Sequence, residues 1–419
     1  MSQQSEGMQQ GAPIVIAGGG IGGLACALAL AQRRFPVLLL EQAREFGEIG
    51  LGLQVAPNAL HVLDALGVGE QARRQALLIE RMRLCDGVSG EQILDIACDE
   101  SFRQRYGNPY AVAHRADIHG ALLQACQALP HITLRTSARV TGYANTAQGV
   151  TVQLADGGRL QGAALIGADG VHSAIRQQML NDGPPRGCGA IIYRASIPAA
   201  QMPRQHQHPW PTLWVGPGTH IIYYPVRDWS MFNFGATVVT GQTEADESSD
   251  AAPAEALAHF PGWVEAPLTV MRVPTAFKRY VIRQREPVER WCDGAVTLLG
   301  DAAHAMVQYI AQGAAMALED ALCLARAADE VRSQRGRADA DSGSSSTNRA
   351  LFEAAFALYQ QRRLPRATRV QLSALAMDAL LHARGPARLA RNDIFASRSQ
   401  TESLARLDWL YAPQNYITT

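Results

Sequence analysis

The stretch PIVIAGGGIGGLACALAL at residues 13–30, followed by FPVLLLE at residues 35–41, decides the fold. The apolar run from Ile14 to Ala17 is too short for a helix and reads as a buried strand. Gly18, Gly20 and Gly23 then spell G-x-G-x-x-G, and an Ala-rich apolar segment continues to about Arg33. A second short run, Phe35 to Leu40, ends in Glu41, 18 residues past Gly23. Strand, tight turn, helix and strand within about 30 residues make one βαβ unit, a parallel pair with a right-handed crossover. One glycine permits the turn, the next lets a pyrophosphate approach the backbone, and the third lets the helix pack close to the strand. Phosphate then sits on the helix N-terminus, where free N–H groups and the dipole favour anions, and Glu41 is placed to accept from a ribose hydroxyl. The pattern predicts dinucleotide binding by Gly18, Gly20, Gly23 and Glu41.

Two further acids repeat the arrangement. Asp169 lies in GADGVHSAIR (167–176), after the apolar run from Ala163 to Ile166, and Asp301 lies in GDAAH (300–304), after the run from Ala295 to Leu299. In an open parallel sheet, ligands bind beyond the carboxyl ends of the strands. The ends at 17, 166 and 299 therefore converge on one ligand, although each acid alone reads equally well as a helix N-cap.

Around this frame the 419-residue chain divides by texture. Residues 1–12 read as a disordered polar tail, and 13–186 with 286–327 as the dinucleotide-binding domain, α/β and Rossmann-like. Residues 187–285, rich in Ile, Tyr, Phe and Val between Gly and Pro, predict a separate antiparallel sheet. Residues 328–349 are polar and Ser/Gly-rich, a linker or loop, and 350–419 form a helical region. Lys+Arg and Asp+Glu are both 38, which excludes a nucleic-acid binder relying on a basic excess. No apolar run reaches the ~20 residues of a membrane span. The N-terminal residues do not have the pattern of a secretory signal. Seven scattered cysteines with no metal-ligand spacing fit reduced thiols, no metal site and a cytoplasmic protein.

The ordered set of an N-terminal G-x-G-x-x-G, a mid-chain DG and a late GDAAH resembles the class A flavoprotein aromatic hydroxylases, FAD-dependent monooxygenases with the para-hydroxybenzoate hydroxylase fold. The resemblance spans about residues 13–390. It implies non-covalent FAD at the first motif, Asp301 on the ribityl chain, and Asp169 serving both FAD and the nicotinamide nucleotide. It also implies that Arg115, in HRADIH (114–119), lies near the ribityl and pyrophosphate. Gln312, Gly313 and Ala314 open a helix whose N–H groups face the flavin pyrimidine. The commoner pattern has prolines where this chain has Ala305 and Gln308. GLGLQVAPN (50–58) corresponds to the loop beside the isoalloxazine.

QYIAQGAAMALED (308–320) narrows the resemblance to the 3-hydroxybenzoate 6-hydroxylases, which make 2,5-dihydroxybenzoate (gentisate) with NADH and O2 through a flavin C4a-hydroperoxide. In HIIYY (220–224), His220 and Tyr224 are four apart and so share a strand face. The resemblance makes His220 and Tyr224 the residues that contact the substrate phenol and Gln308 the matching pocket glutamine, all three in catalytic positions, with Tyr110 a secondary candidate for the same pocket. The plain alternatives are a satisfied sheet histidine, a core tyrosine and a loop cap. His172 and His304 read as structural or phosphate-proximal, and Glu319 with Asp320 as a helix-surface or inter-domain pair.

Three other functions stay open at this level. One is salicylate 1-monooxygenase or 6-hydroxynicotinate 3-monooxygenase activity within the same family. The others are an FAD oxidase or reductase without hydroxylation, and an NAD-sensing module. The expected partners are a small aromatic acid and O2, with no nucleic acid and no membrane span. The C-terminal helices either pair two copies as a homodimer or cover the substrate domain.

Overall fold

Five strands run parallel in one sheet, and their registers bring the ligand-facing ends level. A computed structural model describes residues 12–47, 52–241, 243, 248–342 and 348–415, with the backbone alone over 336–342. The strand order is Cys292–Asp293, Val296–Leu298, Ala164–Gly167, Ile14–Ala17, Val37–Leu40, Ile132–Arg135, and the first of these runs antiparallel to its neighbour. Ala17 is level with Gly167 on one side and Leu40 on the other, and Gly167 is level with Leu298. Gly18, Glu41, Asp169 and Asp301 therefore leave the sheet at one edge, as the sequence predicts. The three central strands, Ala164–Gly167, Ile14–Ala17 and Val37–Leu40, are apolar because both faces are covered, whereas the edge strand Ile132–Arg135 exposes Thr133 and Arg135. Helix Ile21–Gln32 is buried nearly all round. Its alanines let it fit between the sheet and the helix Gly313–Ser342.

A second sheet of eight strands supplies the other half of the molecule. Its order is Ser249–Ala251, Phe277–Gln284, Arg186–Pro198, Met231–Val239, Thr219–Val226, Thr212–Gly216, Arg81–Asp86, Gln92–Ala97. The last two strands correct the expected domain boundary, because they come from inside the segment 13–186. Strand Thr212–Gly216 would otherwise be an open edge. Arg81–Asp86 pairs with it in parallel, and Gln92–Ala97 closes the hairpin. Asp86, fully buried at the end of its strand, accepts from Arg388 (2.6 Å), Arg391 (2.7 Å) and Asn392 (3.0 Å) of helix Gly385–Ala396. That triple contact fastens the C-terminal helices to this sheet.

The polar segment 328–349 is a second correction. Helix Gly313–Ser342 runs on through most of it, and helix Asn348–Leu381 begins at its end. Ala327, Ala328 and Val331 keep a buried helical stripe that packs with Phe352, Ala355 and Phe356, beneath letters that otherwise read as solvent-facing. The expected tail lies outside the described residues apart from Ala12, as do 343–347. All seven cysteines are free thiols. Among the described residues, no helix is long and apolar enough to cross a membrane.

Glu319 and Asp320 are not on a helix surface. Both are completely buried where helix Gly313–Ser342 meets helix Asn348–Leu381. Arg363 bridges them, with its Nε 2.7 Å from Asp320, and Arg366 donates to Glu319 at 2.7 Å. Asp320 also accepts from the Gly300 N–H (3.0 Å) and from His304 Nε2 (2.6 Å), which fixes the GDAAH turn. Asn58 donates to both Glu319 (2.8 Å) and Gln312 (2.9 Å), which fixes the start of the helix. Burial alone would raise both carboxyls. The guanidiniums beside Glu319, and His304 with Arg363 beside Asp320, outweigh burial and hold each at about 2. Their stabilising charge is therefore complete above the usual carboxylate range and is lost as pH falls towards 2. Arg363→Met leaves buried carboxylates without their shared cation. The expected loss is about 3–5 kcal/mol, read as a lower urea midpoint.

Candidate active site

A cavity of about 1100 Å3 lies between the two sheets, and its wall is drawn from both. At the parallel-sheet end the wall contains Gly18, Gly20, Glu41, Arg115, Asp169, Asp301, Gln312, Gly313 and Ala314, nine of the ten predicted cofactor residues. The tenth, Gly23, is not among the lining residues. It sits under the turn, where a Cβ would fall 2.0 Å from the Gly18 carbonyl oxygen, so its part is the close packing of helix on turn. Gly18 has φ +109°, and a Cβ there would lie 2.3 Å from the Ala168 carbonyl oxygen. Gly18 is thus demanded by the neighbouring strand as much as by a phosphate.

The polar groups here are already oriented. Glu41 accepts from the Gly19 N–H at 2.7 Å and from the Ala43 N–H at 2.8 Å, which shapes the glycine turn. His119 Nε2–H donates to the Gly19 carbonyl at 2.8 Å and braces the turn from behind. Asp169 Oδ2 caps the next helix by accepting from the Ala174 N–H at 2.8 Å. Asp169 Oδ1 is buried without a hydrogen-bond partner, and burial raises its carboxyl. Gln312 Nε2 is a second buried polar atom in the wall without a partner. Two unsatisfied groups, a helix N-terminus and a glycine turn at one strand edge fit a ligand rich in hydroxyls and phosphates.

At the other end, His220 and Tyr224 line the cavity from strand Thr219–Val226, together with Ile192, Arg194, Ile222 and Gln308. Tyr110 also lines it, and donates to Gln54 at 2.8 Å. Gln308 accepts from Arg194 at 2.7 Å. Arg194 escaped the sequence reading. The available signal was a lone cation two residues after Ile192 in an apolar strand, and so on the same face. Burial lowers the pKa of Arg194, with Tyr224 acting in the opposite direction. Burial raises the Tyr224 phenol, and Arg194 offsets part of that. His220 is buried, with its Nδ1 2.8 Å from His382 Nε2, and His382 Nδ1 is 2.9 Å from Asp378. Burial, and then His382, push His220 well below the ordinary imidazole range. His172 lines the cavity, whereas His304 is confined to the buried network. Gly50 and Leu51 lie outside the described residues. Gly52, at the end of that loop, donates its N–H to Asn233 at 2.9 Å and ties the loop to the substrate sheet.

A protein-family model described as an FAD binding domain matches residues 11–352. The chain belongs to this family of flavin-dependent aromatic hydroxylases. It is 40% identical over 406 residues to 3-hydroxybenzoate 6-hydroxylase 1 of Aquipseudomonas alcaligenes, covering 96% of this chain and 98% of that protein. It is 40% identical over 397 residues to the 3-hydroxybenzoate 6-hydroxylase of Klebsiella oxytoca, covering 95% and 96%. Among solved structures, Klebsiella pneumoniae HpxO complexed with FAD and uric acid matches with a TM-score of 0.80 at 25% identity, over 96% of this chain and 98% of that one. A salicylate hydroxylase substrate complex shares the fold, with a TM-score of 0.78 over 96% of each chain at 22% identity. The hydroxylase uses FAD, and the unsatisfied atoms of Asp169 and Gln312 suit that cofactor's polar groups.

Gly20 caps the first helix and lines the cavity, so a branched side chain there would occupy the wall predicted to take the cofactor. Gly20→Val is expected to keep its circular dichroism and lose the bound flavin absorbance. Asp301→Ala is expected to weaken FAD binding by about 1–3 kcal/mol, the scale of a lost hydrogen bond to a charged group, measured as a rise in the FAD Kd.

Proposed function

We propose that this hydroxylase converts 3-hydroxybenzoate, NADH, H+ and O2 to 2,5-dihydroxybenzoate, NAD+ and water, placing the new hydroxyl para to the existing one. The observation that supports it most is the grouping of buried His220 with half-buried Arg194 and Gln308 in one wall, where an imidazole base and a guanidinium serve one small hydroxylated acid. The identity to two 3-hydroxybenzoate 6-hydroxylases over almost the whole chain agrees with it.

The redox and oxygen-activating chemistry is supplied by bound FAD. The protein supplies position, charge and a dry site. Arg194, its bond to Gln308 holding the fork in place, meets the substrate carboxylate and offsets its desolvation. His220 takes the phenol proton as oxygen is transferred, which raises electron density at the ortho and para carbons. Orientation by the Arg194 contact selects the para carbon. Tyr224 adds a phenol that stays protonated. The apolar wall of Ile192, Leu213 and Ile222 keeps water away from the reacting atoms.

Arg194→Met is expected to raise KM for 3-hydroxybenzoate about 10–100-fold, the effect of ~1.5–3 kcal/mol for a lost charged hydrogen bond. KM for the uncharged 3-hydroxybenzyl alcohol should change little. An equal rise for both compounds would take the carboxylate away from Arg194.

His220→Ala is expected to stay yellow and to oxidise NADH, yet to form gentisate ~10²–10⁴-fold more slowly, with H2O2 as the balance. Tyr224→Phe should show a milder form of this. Because the His220 pKa is lowered, the working neutral form persists on acidification past 6.5. The wild-type ratio of gentisate to NADH should therefore be flat from about pH 8 to 6. A full ratio in folded, flavin-loaded His220→Ala, measured by product chromatography and a peroxide assay, removes His220 from the reaction. Salicylate or 6-hydroxynicotinate turned over in place of 3-hydroxybenzoate would reassign the substrate.

A further inference from the structure

The wall of the substrate pocket continues into a chain of polar groups that the reaction as described does not use. His382 follows the end of helix Asn348–Leu381 and stacks on His220, with ring centroids 5.0 Å apart and an interplanar angle of 19°. Tyr309 stands edge-on to both rings, at 5.6 Å from His220 and 5.4 Å from His382. On the far side of His382 is Asp378, whose side chain is 44% exposed.

The donors and acceptors along this chain fix one another. An ionised carboxylate only accepts, so the 2.9 Å contact makes His382 Nδ1 a donor to Asp378. A neutral imidazole with its proton on Nδ1 has a lone pair on Nε2. His382 Nε2 must then accept across the 2.8 Å contact, so His220 Nδ1 carries the proton. The nitrogen left to His220 is Nε2, and it holds a lone pair. This is the tautomer a phenol requires of a base in the pocket. The alternative tautomer would present an N–H to the phenol and could not take its proton.

We propose that His382, oriented by Asp378, is the positioning residue that holds His220 in the tautomer able to accept the substrate phenol proton. This rests on the reading of His220 as the base in hydroxylation. The geometry has a further property. When His220 Nε2 gains the proton, the resulting imidazolium stays hydrogen-bonded to a neutral acceptor, and the Asp378 charge lies one ring beyond. The groups facing His382 are His220 from the substrate sheet, Tyr309 from the turn before helix Gly313–Ser342, Asp378 from its own helix and Arg384 from the segment that follows. Burial lowers the His382 pKa against the pull of Asp378, in keeping with a neutral ring.

The test compares variants of the FAD-loaded enzyme. His382→Phe keeps a ring against Tyr309 but removes the acceptor. It is expected to retain FAD and the rate of flavin reduction by NADH, and to leave KM for 3-hydroxybenzoate within a few-fold. The ratio of gentisate to NADH should fall ~10–100-fold, the scale seen when the orienter of a functional imidazole is lost. His382→Gln, whose amide oxygen can still accept from His220 Nδ1, should recover most of that ratio. Asp378→Ala, at the exposed end, should lower the ratio in the same direction without touching the core, and it serves should His382→Phe fail to fold. A packing role alone predicts lower stability and FAD content in His382→Phe with an unchanged product ratio. The proposal is overturned if folded His382→Phe or Asp378→Ala has the wild-type ratio while His220→Ala is uncoupled. If His220→Ala is itself fully coupled, the base assignment fails first, and that result is separate from the behaviour of His382.

Discussion

Two carboxylates buried side by side, Glu319 and Asp320, hold the cofactor end of the protein in one piece. Neither is tolerable in an apolar core alone, and each draws partners from a different part of the chain. Arg363 and Arg366 arrive from the following helix, Asn58 from the far side of the glycine-turn unit, and Gly300 with His304 from the turn after the last parallel strand. Because Asn58 also holds Gln312, the network sets where the helix N-terminus points. A hydrophobic replacement of the same volume could pack as well, but it would not place Gly300, Gln312 and Asp301 relative to one another. The polar core here specifies geometry more than it supplies stability.

The cavity that this frame supports has two ends of different chemical character. The end at the parallel sheet is mostly backbone and small residues, suited to phosphates and hydroxyls that approach closely. The end at the eight-stranded sheet is side chain, with an imidazole, a phenol, an amide and a guanidinium set among aliphatic residues. The two ends are joined by the Gly52–Asn233 bond, which ties the loop of the first unit to the second sheet. That hydrogen bond helps set the placement of one end of the cavity relative to the other.

Much of this was written in local sequence. The run from Ile14 to Glu41 gave the parallel sheet because glycine spacing and apolar runs are properties of neighbouring residues. His220 and Tyr224 could be placed on one strand face because strand periodicity is local too. The same periodicity puts Arg194 on the face of Ile192, but its part in the pocket depends on Gln308, 114 residues later, which local pattern does not show. The continuation of the helix past Ala327 was hidden because three buried residues sufficed to anchor it among many polar ones. Glu319 and Asp320 read as a helix-surface or inter-domain pair, and their full burial was missed for the reverse reason. Acids on a helix are usually solvated, and only partners distant in sequence make burial affordable. His382 offered no local pattern at all.

The fastening of Asp86 bears on the order in which the protein can assemble. Asp86 emerges early in synthesis, and its partners Arg388 and Arg391 follow 302 and 305 residues later. Until they arrive, the Asp86 carboxylate has only the Val88 and Ser89 N–H groups of its own turn and lacks the cations that meet it in the folded protein. The glycine-turn unit also depends on late residues, since the buried Glu319 and Asp320 against which Asn58 packs take their cations from Arg363 and Arg366. Both halves of the molecule therefore draw buried countercharges from the C-terminal helices, and the cavity wall, which includes Met377, Phe395 and Tyr411, is complete only once the end of the chain is in place.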